Sequence, residues 1–241
     1  MIPKERRGAN QIYHVYNRGV DKRKIFLNDR DYLRCIHDLF EFNDEKPAFN
    51  AGFYYDRLPH TKIPTIDFVN QYMKSKREPR KLIVEIMAFC LMPNHFHLLL
   101  KPLIEGGLTL FMRKFGCGYA NYFNKKYERS GALFQGRYKA VRLTKDSHFI
   151  HIPYYIHLNP LDLVEVGWRE RKIENLNRVV RFLDNYRWSS HLDYTGKKNF
   201  PSVTQREFLL DFFGGPKQYQ KELLCWLKEI SLSELEGFIL E

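Results

Sequence analysis

With 241 residues, 44% hydrophobic and 28% charged, the chain is long enough to bury a sizeable core and has the balance of a soluble globular protein, either one large domain or a domain with an appendage. Lys and Arg number 39 against 28 Asp and Glu, a net charge of +11 that points to a polyanionic partner, while the 15% aromatic content suits core packing or base stacking. Cys35, Cys90, Cys117 and Cys225 include no Cys-x-x-Cys pair, which argues against a zinc ribbon or a disulfide scaffold and for buried free thiols; no signal region follows Met1 and no apolar run approaches the roughly 18 residues of a membrane span, so a cytoplasmic location is expected.

Ile12 to Tyr16 reads as a strand closed by the turn signal Asn17-Arg18-Gly19, and Arg18, Lys22, Arg23 and Lys24 make the following loop basic. Asn28 is placed to cap a helix running to about Phe42, with Tyr32, Leu33, Ile36, Leu39 and Phe40 on its apolar side. From 43 to 80 periodicity is poor and prolines recur, apart from a short helical candidate at Asp67 to Lys76, so this stretch reads as an insertion. Leu82 to Met92 and His95 to Lys101 then form a hairpin about Pro93-Asn94. Leu108 to about Lys126 is helical, apolar along Leu108, Phe111, Met112, Phe115 and Tyr119, and basic at Arg113 and Lys114. Gly116 and Gly118 cost that helix roughly 1 kcal/mol each relative to Ala unless they permit close packing.

Tyr138 to Leu143 alternates as a strand, Tyr138, Ala140 and Arg142 against Lys139, Val141 and Leu143, with one basic face, and Arg137, Lys139 and Arg142 suit contact with a phosphate backbone. Ser147 to Leu158 is the next helix, interrupted by Pro153 and stopped by Asn159-Pro160. Beyond about Val166 the chain is mixed: Thr204-Gln205-Arg206-Glu207 reads as a capping box for a helix to Phe213, and Lys217 to Ile230 as a further helix. This tail is either a recognition module or a buttress for the sheet.

Cys90-Leu91-Met92-Pro93-Asn94-His95-Phe96-His97-Leu98-Leu99-Leu100 is the stretch richest in chemistry. Residues i and i+2 of a strand share a face, so His95 and His97 converge while Phe96 and Leu98 pack behind them. Two imidazoles alone are a weak metal signal and need a third donor or water. Asn159 offers an amide oxygen suited to a hard cation such as Mg or Mn, and Tyr155, four residues earlier, shares its helix face. A phenol is a poor nucleophile at pH 7 unless a neighbour takes its proton, and its natural use is phosphoryl transfer through a phosphotyrosine. Tyr154 is the rival, but it points about 100° away from the face that carries Asn159. His14 reads as a strand residue rather than a ligand, and His157 falls on another helix face.

Tyr13-His14-Val15 with Asn17-Arg18-Gly19, Met92-Pro93-Asn94-His95-Phe96-His97-Leu98-Leu99, Phe134-Gln135-Gly136-Arg137-Tyr138-Lys139 and Tyr155-Ile156-His157-Leu158-Asn159-Pro160, in that order, resemble the single-tyrosine HUH transposases of the insertion sequence 200 type, and among them the REP-associated tyrosine transposases. The resemblance covers roughly 8 to 165, with Trp188-Ser189-Ser190 and Phe212-Phe213-Gly214-Gly215 similar to the C-terminal extension of that group. It implies an α+β fold, a ferredoxin-like antiparallel β-sheet with helices packed on one face, carried by a catalytic domain over 1–165 with an insertion at about 43–80 and followed by a mainly helical extension over 166–241. It further implies metal-dependent nicking and joining of single-stranded, hairpin-forming DNA through a 5′-phosphotyrosine. Tyr155 would be the nucleophile, His95, His97 and Asn159 would hold a divalent metal ion, Mg or Mn, and Arg18, Lys22, Arg23, Arg113, Lys114, Arg137, Lys139 and Arg142 would meet the DNA. The protein is expected to work in the cytoplasm at the nucleoid, as a monomer or homodimer, with no membrane partner. A hairpin-binding protein of the same fold without catalysis is the alternative.

Overall fold

The computed structural model describes residues 11–47, 79–170 and 172–229. The first strand, β1 (Tyr13–Arg18), is built from aromatic and β-branched residues and runs past the expected end at Tyr16, because Asn17 and Arg18 are held in register opposite Phe96 and His95. Helix α1 (Asp29–Glu41) begins as predicted: the Asn28 side chain accepts from the Arg30 amide, and Asp31 reaches back to the amides of Leu27 (2.8 Å) and Asn28 (3.3 Å), a reciprocal cap worth about 1 kcal/mol. Strands β2 (Val84–Met92) and β3 (His95–Pro102) form the predicted hairpin. Helix α2 (Gly107–Lys126) needs only one of its two questioned glycines for packing: a Cβ on Gly118 would lie 2.2 Å from the Phe42 ring, whereas one on Gly116 would meet nothing within 4 Å.

With the short strand β4 (Lys139–Arg142), the order β1-α1-β2-β3-α2-β4 makes a four-stranded antiparallel sheet arranged β2-β3-β1-β4, the ferredoxin-like topology. One face is the expected helical one, where Tyr13, Val15, Phe96, Leu98 and Leu100 pack against α1 and α2 in a core that also holds Leu33, Ile36, Phe111 and Phe115. The opposite face is covered as well. Ala88, Cys90 and Leu99 meet α3 (Asp146–Leu158), and behind it lie α4 (Leu176–Leu183), a single turn α5 (His191–Tyr194), α6 (Glu207–Phe212) and α7 (Pro216–Glu229).

The segment after 185 also closes an open edge of the sheet. The Leu91 amide donates to the Trp188 carbonyl (2.9 Å), the Ser190 amide to the Phe89 carbonyl (3.0 Å), and the Phe89 amide to Ser190 Oγ (2.9 Å). Unpaired strand edges invite pairing with other chains, so this part of the tail acts as a buttress. The predicted capping box at Thr204–Glu207 does not form: α6 starts at Glu207 without a side-chain cap, and Gln205 is tied to the sheet edge instead, its amide and side-chain oxygen bonding the carbonyl and amide of Ile86. Among the cysteines, Cys35 and Cys90 are buried as expected, whereas Cys117 and Cys225 are exposed on helices. The helical candidate at Asp67–Lys76 and most of the 43–80 insertion lie outside the described residues, among which no helix is long and apolar enough to cross a membrane.

Candidate active site

The pleat of β3 places His95 and His97 on the face away from α1 and α2, and the register of β1 adds Tyr16, directly opposite His97, and His14, one pleat further along. His97 and His14 are fully buried, and His97 Nδ1 lies 2.9 Å from His14 Nε2. His95 Nδ1 sits 2.7 Å from Asn94 Oδ1, which as an acceptor puts the proton on Nδ1 and leaves Nε2 with its lone pair. The His95 and His97 rings stand edge-to-face, 5.0 Å between centroids.

Helix α3 brings Tyr155 down onto this histidine cluster. Its fully buried ring is edge-on to His97 at 5.7 Å and to His14 at 5.9 Å. Tyr154, one residue earlier, is turned into the tail: its hydroxyl donates to Glu222 Oε2 (3.0 Å) and its ring packs on Phe213, Tyr219 and Trp226. His157 is likewise committed away from the cluster, to the Tyr219 hydroxyl (2.6 Å) and Ser190 Oγ (2.7 Å). At the C-terminal end of α3, Asn159 donates from Nδ2 to the Tyr155 carbonyl (2.7 Å), which leaves its amide oxygen facing the cluster, where Arg169 Nη2 donates to it at 3.2 Å. Arg169 lies in a 3-10 turn (Val166–Glu170); its guanidinium is 5.2 Å from the Tyr155 ring centroid, and its Nη2 and Nε bond the Asp162 carboxylate at 2.7 and 3.0 Å.

Burial decides the protonation of this cluster. Burial, opposed by Asp162 and reinforced by Arg169 and Arg18, pushes the His95 imidazole down to about 4, with Asn159 in hydrogen-bond reach favouring the protonated form. Burial, with His95, His14 and Arg169 adding to it, holds His97 well below its ordinary value. Both imidazoles are therefore neutral at pH 7. Burial and the nearby Tyr155 raise the Tyr16 phenol, so Tyr16 stays protonated. His97 Nε2 is buried with no hydrogen-bond partner among the described residues, a nitrogen that could ligate a cation in the tautomer that leaves it unprotonated. Among those residues no group of three His, Cys, Asp or Glu could hold a metal ion, so a cation here would rest on two imidazoles, the Asn159 amide oxygen and water. That donor set fits a divalent ion.

Some of the predicted basic residues gather at one end of the sheet. The Gly19 amide donates to the Asn94 carbonyl (2.8 Å), Ile25 to Pro93 (2.8 Å), Val20 to Leu133 (3.0 Å) and Gln135 to Arg18 (2.8 Å). These ties bring the loops carrying Arg18, Lys22, Arg23 and Arg137 together beside His95, and they hold Asp21 and Lys22 at φ 55° and 57°, left-handed values that cost a non-glycine residue about 1–2 kcal/mol. Lys139 is opposite Tyr16 and within 5.8 Å of its ring. Arg142 pairs with Tyr13 and so faces the other side of the sheet from Lys139, as the alternation of that strand requires. Arg113 and Lys114 stand on α2, across the sheet from the histidines, and Lys114 Nζ donates to the carbonyls of Asp44 and Lys46.

Sequence reasoning missed His14, Tyr16, Asn94, Asp162 and Arg169 as parts of this cluster. The alternation of β1 was a usable signal for the first two, since His14, Tyr16 and Arg18 share one face. Nothing in the local pattern marks Arg169.

A search of curated proteins finds no match. A solved structure described as that of the REP-associated tyrosine transposase bound to a REP hairpin aligns with 81% of this chain and 86% of its own, at 14% identity and a TM-score of 0.48. The family model described as "Transposase IS200 like" matches residues 65–159, so the segment that carries His95, His97, Tyr155 and Asn159 is similar to the IS200-like transposases.

Proposed function

We propose that the protein cuts and rejoins single-stranded, hairpin-forming DNA, with Tyr155 as nucleophile and a divalent cation, Mg or Mn, held by His95, His97 and Asn159. The observation that carries this reading is the opposite orientation of two adjacent tyrosines: Tyr155 lies against the histidine cluster and Tyr154 is bound to Glu222. The match to IS200-like transposases over the same residues supports it.

In the proposed reaction the Tyr155 oxygen attacks the scissile phosphorus, the P–O3′ bond breaks, and a 5′-phosphotyrosine and a free 3′-hydroxyl result. The phenol gives up one proton and the leaving oxygen takes one, so the step is balanced. Because the ester is conserved, attack by another 3′-hydroxyl rejoins the strand. A bound divalent cation supplies polarisation of the phosphate and charge for the leaving oxygen. The chain's own residues do the rest. Neutral His95 and His97 offer nitrogen lone pairs, Asn159 orients an amide oxygen, and the basic loops around Arg18, Lys22, Arg23 and Arg137, with Lys139, neutralise backbone phosphates. Tyr155 is fully buried, with the Arg169 guanidinium 5.2 Å from its ring centroid, so the phenol must become exposed before DNA can reach it.

The test is to incubate the purified protein with Mg or Mn and a panel of single-stranded hairpin oligonucleotides. A covalent protein–DNA adduct and a released 3′-hydroxyl fragment are expected from the wild type and neither from Tyr155→Phe. Hairpin binding without any adduct, or equal adduct from Tyr155→Phe, overturns the catalytic reading and leaves a hairpin-binding protein.

A further inference from the structure

His14 has no part in the scheme above, yet it is fully buried against one of the proposed ligands. Its Nε2 is 2.9 Å from His97 Nδ1, with the two rings within 16° of parallel and 5.0 Å between centroids, the spacing of imidazoles joined edge to edge by a hydrogen bond. One proton lies between those nitrogens, and which ring owns it decides what His97 can do. If His14 Nε2 donates, a neutral His97 carries its own proton on Nε2, leaving an N–H donor buried without an acceptor among the described residues and no lone pair for a cation. If His97 Nδ1 donates, Nε2 keeps its lone pair on the side of Tyr155 and His95. The second arrangement places the His14 proton on Nδ1 and is the one in which His97 can hold a cation through Nε2. The neighbouring ligand follows the same rule, since His95 gives its Nδ1 proton to Asn94 at 2.7 Å.

We infer that His14 is a positioning residue: by accepting the Nδ1 proton of His97 it fixes the tautomer and ring orientation that present His97 Nε2 to a divalent cation, as Asn94 does for His95. Partners of this kind outside the ligand set commonly contribute about 10- to 100-fold to metal affinity. The inference rests on the metal reading of His95 and His97 and goes beyond it, because it assigns a role to a residue on another strand and outside the segment that matches the transposase family.

Two measurements on the full chain test it. In the metal-free wild type, long-range 1H–15N spectra of the His97 ring should show the proton on Nδ1; a His97 protonated on Nε2 overturns the inference. Mn titration of wild type, His14→Leu and His14→Gln, followed by the EPR signal of free Mn, should show affinity falling about 10- to 100-fold in His14→Leu and largely restored in His14→Gln, whose amide oxygen can accept the same proton. Unchanged Mn affinity in His14→Leu, with affinity lost in His97→Ala, overturns the role of His14 alone. Unchanged affinity in both His95→Ala and His97→Ala overturns the metal reading instead. Should His14→Leu fail to fold, the wild-type tautomer and the His14→Gln titration still decide.

Discussion

The two faces of the sheet are written by the same strands to different ends. Tyr13 and Val15 of β1 and Phe96, Leu98 and Leu100 of β3 look toward α1 and α2 and bury an apolar core, whereas His14 and Tyr16 and His95 and His97, interleaved with them, look the other way. The second face is apolar at Leu99 of β3 and along β2 at Ala88, Cys90 and Met92, the last two directly opposite His97 and His95, and there α3 and the tail dock. The difference teaches that stability and chemistry are separated here by one residue of register. A one-residue slip of β3 would turn both histidines into the first core and Phe96 out of it.

The sharpest way to break this separation is at Tyr155. Tyr155→Phe removes one oxygen from the site face and should abolish covalent adduct with DNA while unfolding as the wild type does; Tyr154→Phe, which loses only its bond to Glu222, should keep adduct formation. The mirror experiment is on the other face. Phe96→Ala should cost about 3–5 kcal/mol in denaturant unfolding, as removal of a buried aromatic does, with Mn affinity of the folded fraction little changed. If Phe96→Ala instead abolished Mn binding in protein that is still folded, the two faces would not be separable.

Acid should act on the site-facing side of the sheet. Burial, partly opposed by Asp184 and aided by Lys197, brings His191 down to about 4, and burial with His191 beside it holds His157 well below its ordinary value. A histidine kept neutral in the folded state binds fewer protons there than in the unfolded chain. Stability is therefore constant above about pH 7 and falls as the pH drops from about 6.5 toward 4. Denaturant midpoints across that window check this, and His157→Gln should flatten the slope. The smallest effect is expected at the surface. Arg137→Ala should weaken hairpin binding a few-fold and reduce the salt slope by about 1, while Arg113→Ala, across the sheet, should change neither.

Much of the architecture was legible because it is local. The hairpin about Pro93-Asn94, the Asn28 cap and the amphipathic helices all follow from spacing within a few residues, and His95 and His97 share a face by the period of a strand. The failures were long-range. Gln205 looked like part of a capping box and was taken by the edge of β2 at Ile86, 119 residues away. Asn17 and Arg18 looked like a turn and were kept in β1 by pairing with β3.

For the site, the sequence by itself determined the two convergent imidazoles and the i, i+4 relation of Tyr155 and Asn159, since both depend only on the repeat of one strand and one helix. Tertiary structure alone decided that α3 covers the face of the sheet that carries the histidines, which turns Tyr155 rather than Tyr154 toward them. It also decided that β1 lies beside β3, so that His14 reaches His97, and that a turn ten residues past Asn159 brings Arg169 back over the tyrosine. Those meetings depend on which elements become neighbours, a choice made by burial of the whole core and carried by no short stretch of the chain.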